Sequence, residues 1–225
     1  MQAQRLGYSV RRYFVDEFYF RHIPALPSNS HVLDLGGNKV RKRGQFDIEK
    51  YNLNVTYANL FTGKQPDVQA DATHLPFDDN QFDAVICAEL LEHVFSPQTA
   101  LREAYRVLGL RGVLLISVPF LYPIHGDPYD FGRYTDHYWL SVLEEIGFEE
   151  IIIERQGLFY SVLANFFKLY ANRIYHRPIR NLASFPLALF QRWALKREQN
   201  PSVQSHPFLN SFTTGFGIVA HKSQL

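Results

Sequence analysis

His31-Val32-Leu33-Asp34-Leu35-Gly36-Gly37-Asn38 is an apolar run that ends in an acid and two glycines. It reads as a buried strand entering a tight turn. Glycine tolerates positive φ and lets a ligand approach the backbone closely. In an open α/β sheet, ligands bind beyond the carboxyl ends of the strands. A glycine turn also serves plain geometry, so the flanking sequence decides between the two uses.

Working outward, residues 54–59 read as a second strand and 68–71 as a short third. Residues 84–88, 113–118, 148–153 and 212–221 supply four more. Uniformly apolar strands suit a parallel sheet covered on both faces. Ser96 and Pro97 open a helix as N-cap and first-turn proline, with Leu101, Ala104, Tyr105 and Leu108 on its apolar face. Thr135 caps another, with Trp139, Val142, Leu143 and Ile146 inward and Gly147 at its end. A weaker helical pattern is expected near 40–50. An aromatic, basic helix over 8–22, ended by Pro24 and Pro27, is expected to pack on the sheet edge. Strands alternating with helices predict an α/β fold, a doubly wound, seven-stranded, mostly parallel sheet.

Between the sixth and seventh strands the chain is too long for a plain connection. It carries two apolar helical patterns, roughly 158–175 and 182–197. No acidic residue stands between Glu154 and Glu198, while Arg155, Lys168, Arg173, Arg177, Arg180, Arg192, Lys196 and Arg197 do. Aromatic residues are interleaved with them. Two readings fit: a lid whose apolar side packs on the domain, or a membrane-surface helix pair through 157–197. The expected division is an N-terminal helical segment over 1–30, a core of 31–156 with 208–225, and a helical insert or lid over 157–207.

The 225 residues are 46% hydrophobic, enough for a core. A net charge of +1 gives no electrostatic footprint for nucleic acid. The single cysteine, Cys87, excludes an internal disulfide and reads as a buried small hydrophobe. A reducing, cytoplasmic setting is expected. No uncharged apolar run reaches the roughly 18 residues of a membrane span. Arg5, Arg11, Arg12, Asp16 and Glu17 break up any leader peptide. No metal-ligand set is read from the spacing of acids, histidines and cysteine.

Three further stretches follow the glycine turn in order. They are Asp71-Ala72-Thr73-His74-Leu75-Pro76-Phe77, then Phe82-Asp83 through Glu89-Leu90-Leu91-Glu92-His93-Val94, then Leu101 through Arg106-Val107-Leu108 and Gly112 to Pro119. Together these resemble class I S-adenosylmethionine-dependent methyltransferases, in particular the type 11-like group. The resemblance covers residues 31–136 and extends to the final strand. It implies a Rossmann-like methyltransferase fold, S-adenosylmethionine as cofactor, and a small-molecule, glycan or lipid-linked acceptor methylated at oxygen.

Carried over residue by residue, the resemblance implies that Asp34, Gly36, Gly37 and Asn38 hold the amino-acid end of the cofactor. Asn59 falls where an acid normally takes the ribose hydroxyls. Neutral hydrogen bonds are weaker by roughly 1 kcal/mol, so cofactor binding is expected to be weakened by about tenfold or less, and Asn59→Asp is expected to tighten it. Asn38 and Val40 stand where the family has further glycines. Asp71 and Ala72 match the adenine contacts, the bland alternative for Asp71 being a turn residue. Glu89 ends the fourth strand and faces the cleft. His93 is expected to cap the loop that follows it.

After the fifth strand, residues 119–135 form a loop rich in groups that accept protons or hold anions. His125 is the candidate general base, its ordinary pKa lying near 6.5. Asp130 would orient it or act directly, and Arg133 would clamp a carboxylate or phosphate. The alternative is an Asp130–Arg133 ion pair that shapes the loop. Two rival functions remain beside methyl transfer. One is a degenerate, non-catalytic scaffold, supported by Asn38, Val40 and Asn59. The other is a nicotinamide oxidoreductase, which lacks its G-x-G-x-x-G signature here. A nucleic-acid substrate has neither an N-P-P-Y-type motif nor a basic bias behind it.

Overall fold

The computed structural model describes residues 8–40, 44–126 and 128–224. Seven strands form one sheet: β1 (His31–Leu35), β2 (Asn54–Asn59), β3 (Val68–Gln69), β4 (Phe82–Ala88), β5 (Leu108–Pro119), β6 (Phe148–Arg155) and β7 (Gly215–Lys222). Their order is β3-β2-β1-β4-β5-β7-β6, with β7 antiparallel to both neighbours. From β1 the chain winds outward through β2 and β3, then returns to lay β4 on the other side of β1. That reversal opens a crevice beyond the carboxyl ends of β1 and β4.

One face of the sheet is covered by α2 (Pro97–Val107) and α3 (Asp136–Ile146). Leu101, Ala104, Trp139 and Leu143 pack there on Leu33, Leu35, Val85 and Ile116. The other face is covered by α1 (Val10–His22), whose Val15, Phe18 and Tyr19 pack on Val32, Ala84, Ile86 and Leu115. Side chains alternate along a strand, so Asp34 shares the α1 side with Val32. Helix α1 therefore lies over the sheet face and not along its edge.

The helix expected near 40–50 is absent among the described residues there, which hold only the single 3-10 turn Ile48–Lys50. Gly44 has φ +88°, which an α-helix does not accommodate. The Asp16 carboxylate accepts from the Gln45 N–H at 2.6 Å and pins this segment to α1. Phe46 and Ile48 then fill the face beside Tyr19.

Thr135 caps α3 through the Tyr138 N–H, and Gly147 ends it in the left-handed region at φ +108°. Ser96 does not cap α2 with its side chain; its hydroxyl instead pairs with that of Thr99 at 2.7 Å. The insert forms α4 (Phe159–Asn172), α5 (Arg177–Glu198) and two single turns, Pro201–Gln204 and Pro207–Asn210. Helix α4 packs on α1 and α5. No described helix is long and apolar enough to cross a membrane.

Candidate active site

A cavity of about 990 Å³ opens at the carboxyl ends of β1, β2 and β4. Asp34, Gly36, Gly37, Asn38, Asn59, Asp71, Ala72 and Glu89 all line it. The strand register explains the convergence: Asp34 stands opposite Tyr57 on β2 and Ile86 on β4. The glycine turn that follows is a tight cradle. Gly36 has φ +81°, and a Cβ there would lie 2.7 Å from Leu90 Cδ1. A Cβ on Gly37 would fall 2.2–2.4 Å from the Asp34 carboxylate. Only glycine leaves this backbone bare over the acid, which is the shape a backbone-held ligand needs.

Asn59 has a different task from the ribose contact expected of it. Its amide nitrogen donates to the Gly36 carbonyl at 2.8 Å and the Gly37 carbonyl at 3.0 Å. Its oxygen accepts from the Phe61 N–H at 3.0 Å. The side chain thus ties the glycine turn to the end of β2. An aspartate has no donor to offer those carbonyls, so the expected gain from Asn59→Asp reverses in sign. Asp71 is a turn residue that also faces the cavity. One carboxylate oxygen accepts from the Thr73 N–H and hydroxyl at 2.9 and 2.8 Å, while the residue is exposed on the cavity wall.

The opposite wall comes from the N-terminal helix, a contribution that the aromatic pattern of 8–22 did not announce. Arg12, Asp16 and Tyr19 line the cavity. Arg11 is buried and grips Glu89 bidentately, Nη2 to Oε1 at 2.5 Å and Nε to Oε2 at 3.2 Å. Its other guanidinium nitrogen bonds Gln156. Burial alone would raise the Glu89 pKa, but the Arg11 charge and hydrogen bonds hold it below the ordinary value. Glu89 itself sits at φ +51°, a conformation uncommon outside glycine. The signal for this pair was a basic residue on a helix that chain topology returns to β4, and sequence spacing does not carry it.

The three residues expected to do catalysis are brought together, but beside the cavity. His125, Asp130 and Arg133 do not line it, although Gly126, Tyr129 and Phe131 of the same loop do. Asp130 and Arg133 form a half-buried ion pair, with Nη2 to Oδ2 at 2.8 Å. Arg133 holds the Asp130 carboxyl down at about 2. Asp130 also accepts the His125 N–H at 2.7 Å. Burial and the neighbouring His93 lower the His125 pKa. The loop-shaping reading therefore describes Asp130 and Arg133, and His125 packs edge-on to His93 with ring centroids 4.9 Å apart. His93 fastens the loop through its Nδ1 to the Tyr129 carbonyl.

Glu92, on the turn after β4, is buried, and burial with the adjacent Glu89 charge pushes its carboxyl up to about 8. An exposed aromatic rim flanks the opening: Phe61 meets Tyr129 at 5.9 Å, and Phe95 meets Phe131 at 5.6 Å. The insert is no lid in this structure. No residue of 157–207 lines the cavity, because α4 stacks on the outer side of α1. Cys87 is buried and its thiol is pushed up by that burial, as a small core residue should be.

Residues 38–116 match the family described as "Methyltransferase domain". The ubiquinone/menaquinone biosynthesis C-methyltransferase UbiE of Haemophilus ducreyi is 34% identical over 119 residues, 53% of this chain and 38% of that protein. The chain spans about half the length, or less, of the curated relatives it matches. Among solved structures, the (4+2)-cyclase SpnF superposes with a TM-score of 0.60 at 19% identity, over 94% of this chain and 80% of that one. Haemonchus contortus phosphoethanolamine N-methyltransferase 2, solved with S-adenosyl-L-methionine, gives 0.56 at 14% identity over 95% and 57%. At such identities the likeness is one of fold.

Proposed function

From the premise that this chain carries a class I S-adenosylmethionine-dependent methyltransferase domain, we propose that it moves the methyl group of that cofactor to a hydroxyl of a small-molecule, glycan or lipid-linked acceptor. The observation that carries the reading is the cavity at the β1–β4 switch point, with its bare glycine cradle over Asp34. Its volume stands at the upper end of the roughly 300–1,000 Å³ usual for small-molecule sites, enough for cofactor and acceptor together. Gly36 and Gly37 would hold the amino-acid end by backbone, and Asp71 would accept from the adenine amino group through its second oxygen. Asn59 would support the turn from the end of β2.

The bound sulfonium supplies the electrophile. The protein's part is to place the acceptor and remove water and a proton. The transfer would form an oxygen–carbon bond as the carbon–sulfur bond breaks, its electron pair staying on sulfur, and the hydroxyl proton would leave through a protein group or water to solvent. Exposed rings at Phe61, Phe95, Tyr129 and Phe131 suit a ring-bearing acceptor. A second reading, methylation at carbon of an aromatic or quinone ring, is favoured by the relatives named C-methyltransferases.

Calorimetry with S-adenosylmethionine tests the main reading. Wild type should bind saturably, and Asp71→Asn, which keeps the Thr73 turn, should bind about tenfold more weakly. No binding at millimolar cofactor would sink it in favour of a scaffold role. With a carbon-13 methyl donor and an accepted substrate, the product's methyl chemical shift separates oxygen from carbon methylation.

The insert supports a membrane-facing role better than a lid. Tyr170, Tyr175, Leu182, Phe185 and Trp193 are exposed on α4, α5 and the turn between them. Arginines and lysines without any intervening acid accompany them. Aromatic anchors with cations suit an anionic lipid surface at the cytoplasmic side. Sedimentation with phosphatidylserine-rich vesicles should pull the protein down at low salt. Recovery in the supernatant would remove this role and leave methyl transfer untouched.

A further inference from the structure

We propose that Glu92, His93 and His125 form a divalent-cation site on the wall of the cavity. Glu92 sits on the turn that closes β4, its side chain 1% exposed. Neither carboxylate oxygen has a hydrogen-bond partner. A carboxylate buried without donors is costly, and such groups in native proteins are paired or coordinate metals. His93 Nε2 lies 3.5 Å from Glu92 Oε1. His125 reaches the same spot from the loop after β5. One ligand atom from each of the three lies within 4.8 Å of the other two.

Hydrogen bonds to the two imidazoles select their tautomers. His93 Nδ1 bonds the Tyr129 carbonyl, and His125 Nδ1 bonds the Pro123 carbonyl at 3.2 Å. Carbonyl oxygens only accept, so each Nδ1 carries the proton and each Nε2 keeps its lone pair. Asp130 Oδ2, 3.4 Å from His125 Nδ1, favours the same tautomer. Arg133 Nη2, also 3.4 Å away, can only donate and opposes it, but two acceptors outweigh one donor. A ring fixed through its far nitrogen by a carbonyl or carboxylate is how metal-bound histidines are held. Asp130 and Arg133, set beside the cavity, thereby gain a purpose as supports of the His125 ligand.

Two imidazoles and one carboxylate suit zinc, manganese, iron or cobalt in the divalent state, and three protein ligands leave coordination positions open. His93 and Gly126 place the site on the cavity wall. An acceptor offering two adjacent oxygens, a vicinal diol or catechol, could fill those positions, and a coordinated hydroxyl loses its proton more readily. This consequence for the acceptor rests on the methyl-transfer reading; the cation site does not.

The experiment is a titration of untagged, chelator-treated protein with cobalt(II), read by calorimetry and by visible absorbance, with S-adenosylmethionine binding measured separately. One saturable equivalent is expected. Glu92→Gln and His125→Ala should each weaken it by at least about 100-fold while keeping wild-type circular dichroism and cofactor binding. His125 is half-exposed, so its variant stays informative if the buried Glu92→Gln protein fails to fold. Absence of saturable cobalt binding in wild type, or undiminished binding by His125→Ala, overturns the site. Cobalt binding without cofactor binding supports the site and overturns the methyl-transfer reading instead.

Discussion

The floor of the cavity and its far wall are built by different means. The floor is made of turns that directly follow strands: Gly36 and Gly37 after β1, Asn59 at the end of β2, Asp71 just past β3. Each part lies a few residues from the strand that positions it. The far wall is assembled across the chain. Arg11 reaches Glu89, His93 holds Tyr129, and His125 meets His93. The floor holds a shape in backbone, whereas the wall holds charges in place against the cost of burying them.

If this division is real, damage to the wall should show first as lost stability, and damage to the floor as lost affinity. The sharpest break is Arg11→Ala, which strands Glu89 as an unpaired, mostly buried charge. Such removals cost about 3–5 kcal/mol, and chemical denaturation should show a loss of that size. A loss under about 1 kcal/mol would mean that Glu89 relaxes into solvent and that the wall is not so constructed.

The Asp130–Arg133 pair gives a smaller effect, one that depends on pH. Asp130 is depressed from 3.8 to about 2 in the folded protein. A depressed acid contributes stability above its unfolded pKa and loses it as pH falls through the folded one. The difference amounts to about 2 kcal/mol, lost between about pH 4 and pH 2. Asp130→Asn should lack that component, so its stability should fall less steeply than wild type over this window. Parallel curves would show that the pair contributes nothing.

The smallest effect belongs to the floor. Asn59→Asp sets a carboxylate against two carbonyls and should weaken S-adenosylmethionine binding by about tenfold, or about 1.4 kcal/mol. Calorimetry reads it directly, and tighter binding would restore the ribose contact that the geometry removes.

The same division explains what the sequence could tell. Strand periodicity, the Thr135 and Gly147 caps and the acid-glycine turn are local, and each led to the observed sheet and to the cavity's floor. Among the described residues near 40–50 a single turn stands in place of the expected helix, where α1, from an earlier part of the chain, covers the sheet face. Asn59 was placed correctly but given the wrong partner, since its position at a strand end does not reveal that its amide turns back to Gly36 and Gly37. His125, Asp130 and Arg133 were rightly grouped by spacing. Whether such a loop points into a cleft or braces its wall is decided by contacts such as His93 to Tyr129, which no local pattern encodes.

Arg11 faces two ways. Its backbone N–H donates to Asn165 Oδ1 on α4 at 3.3 Å, while its guanidinium grips Glu89. Three residues further along α4, Lys168 donates to the Tyr8 carbonyl at 2.7 Å, fastening the approach to the same helix. The insert and the cavity are thus coupled in series through a single helix, like two loads on one beam. Any force on α4, from a lipid surface or from crowding, reaches the acid at the end of β4 after crossing only one residue.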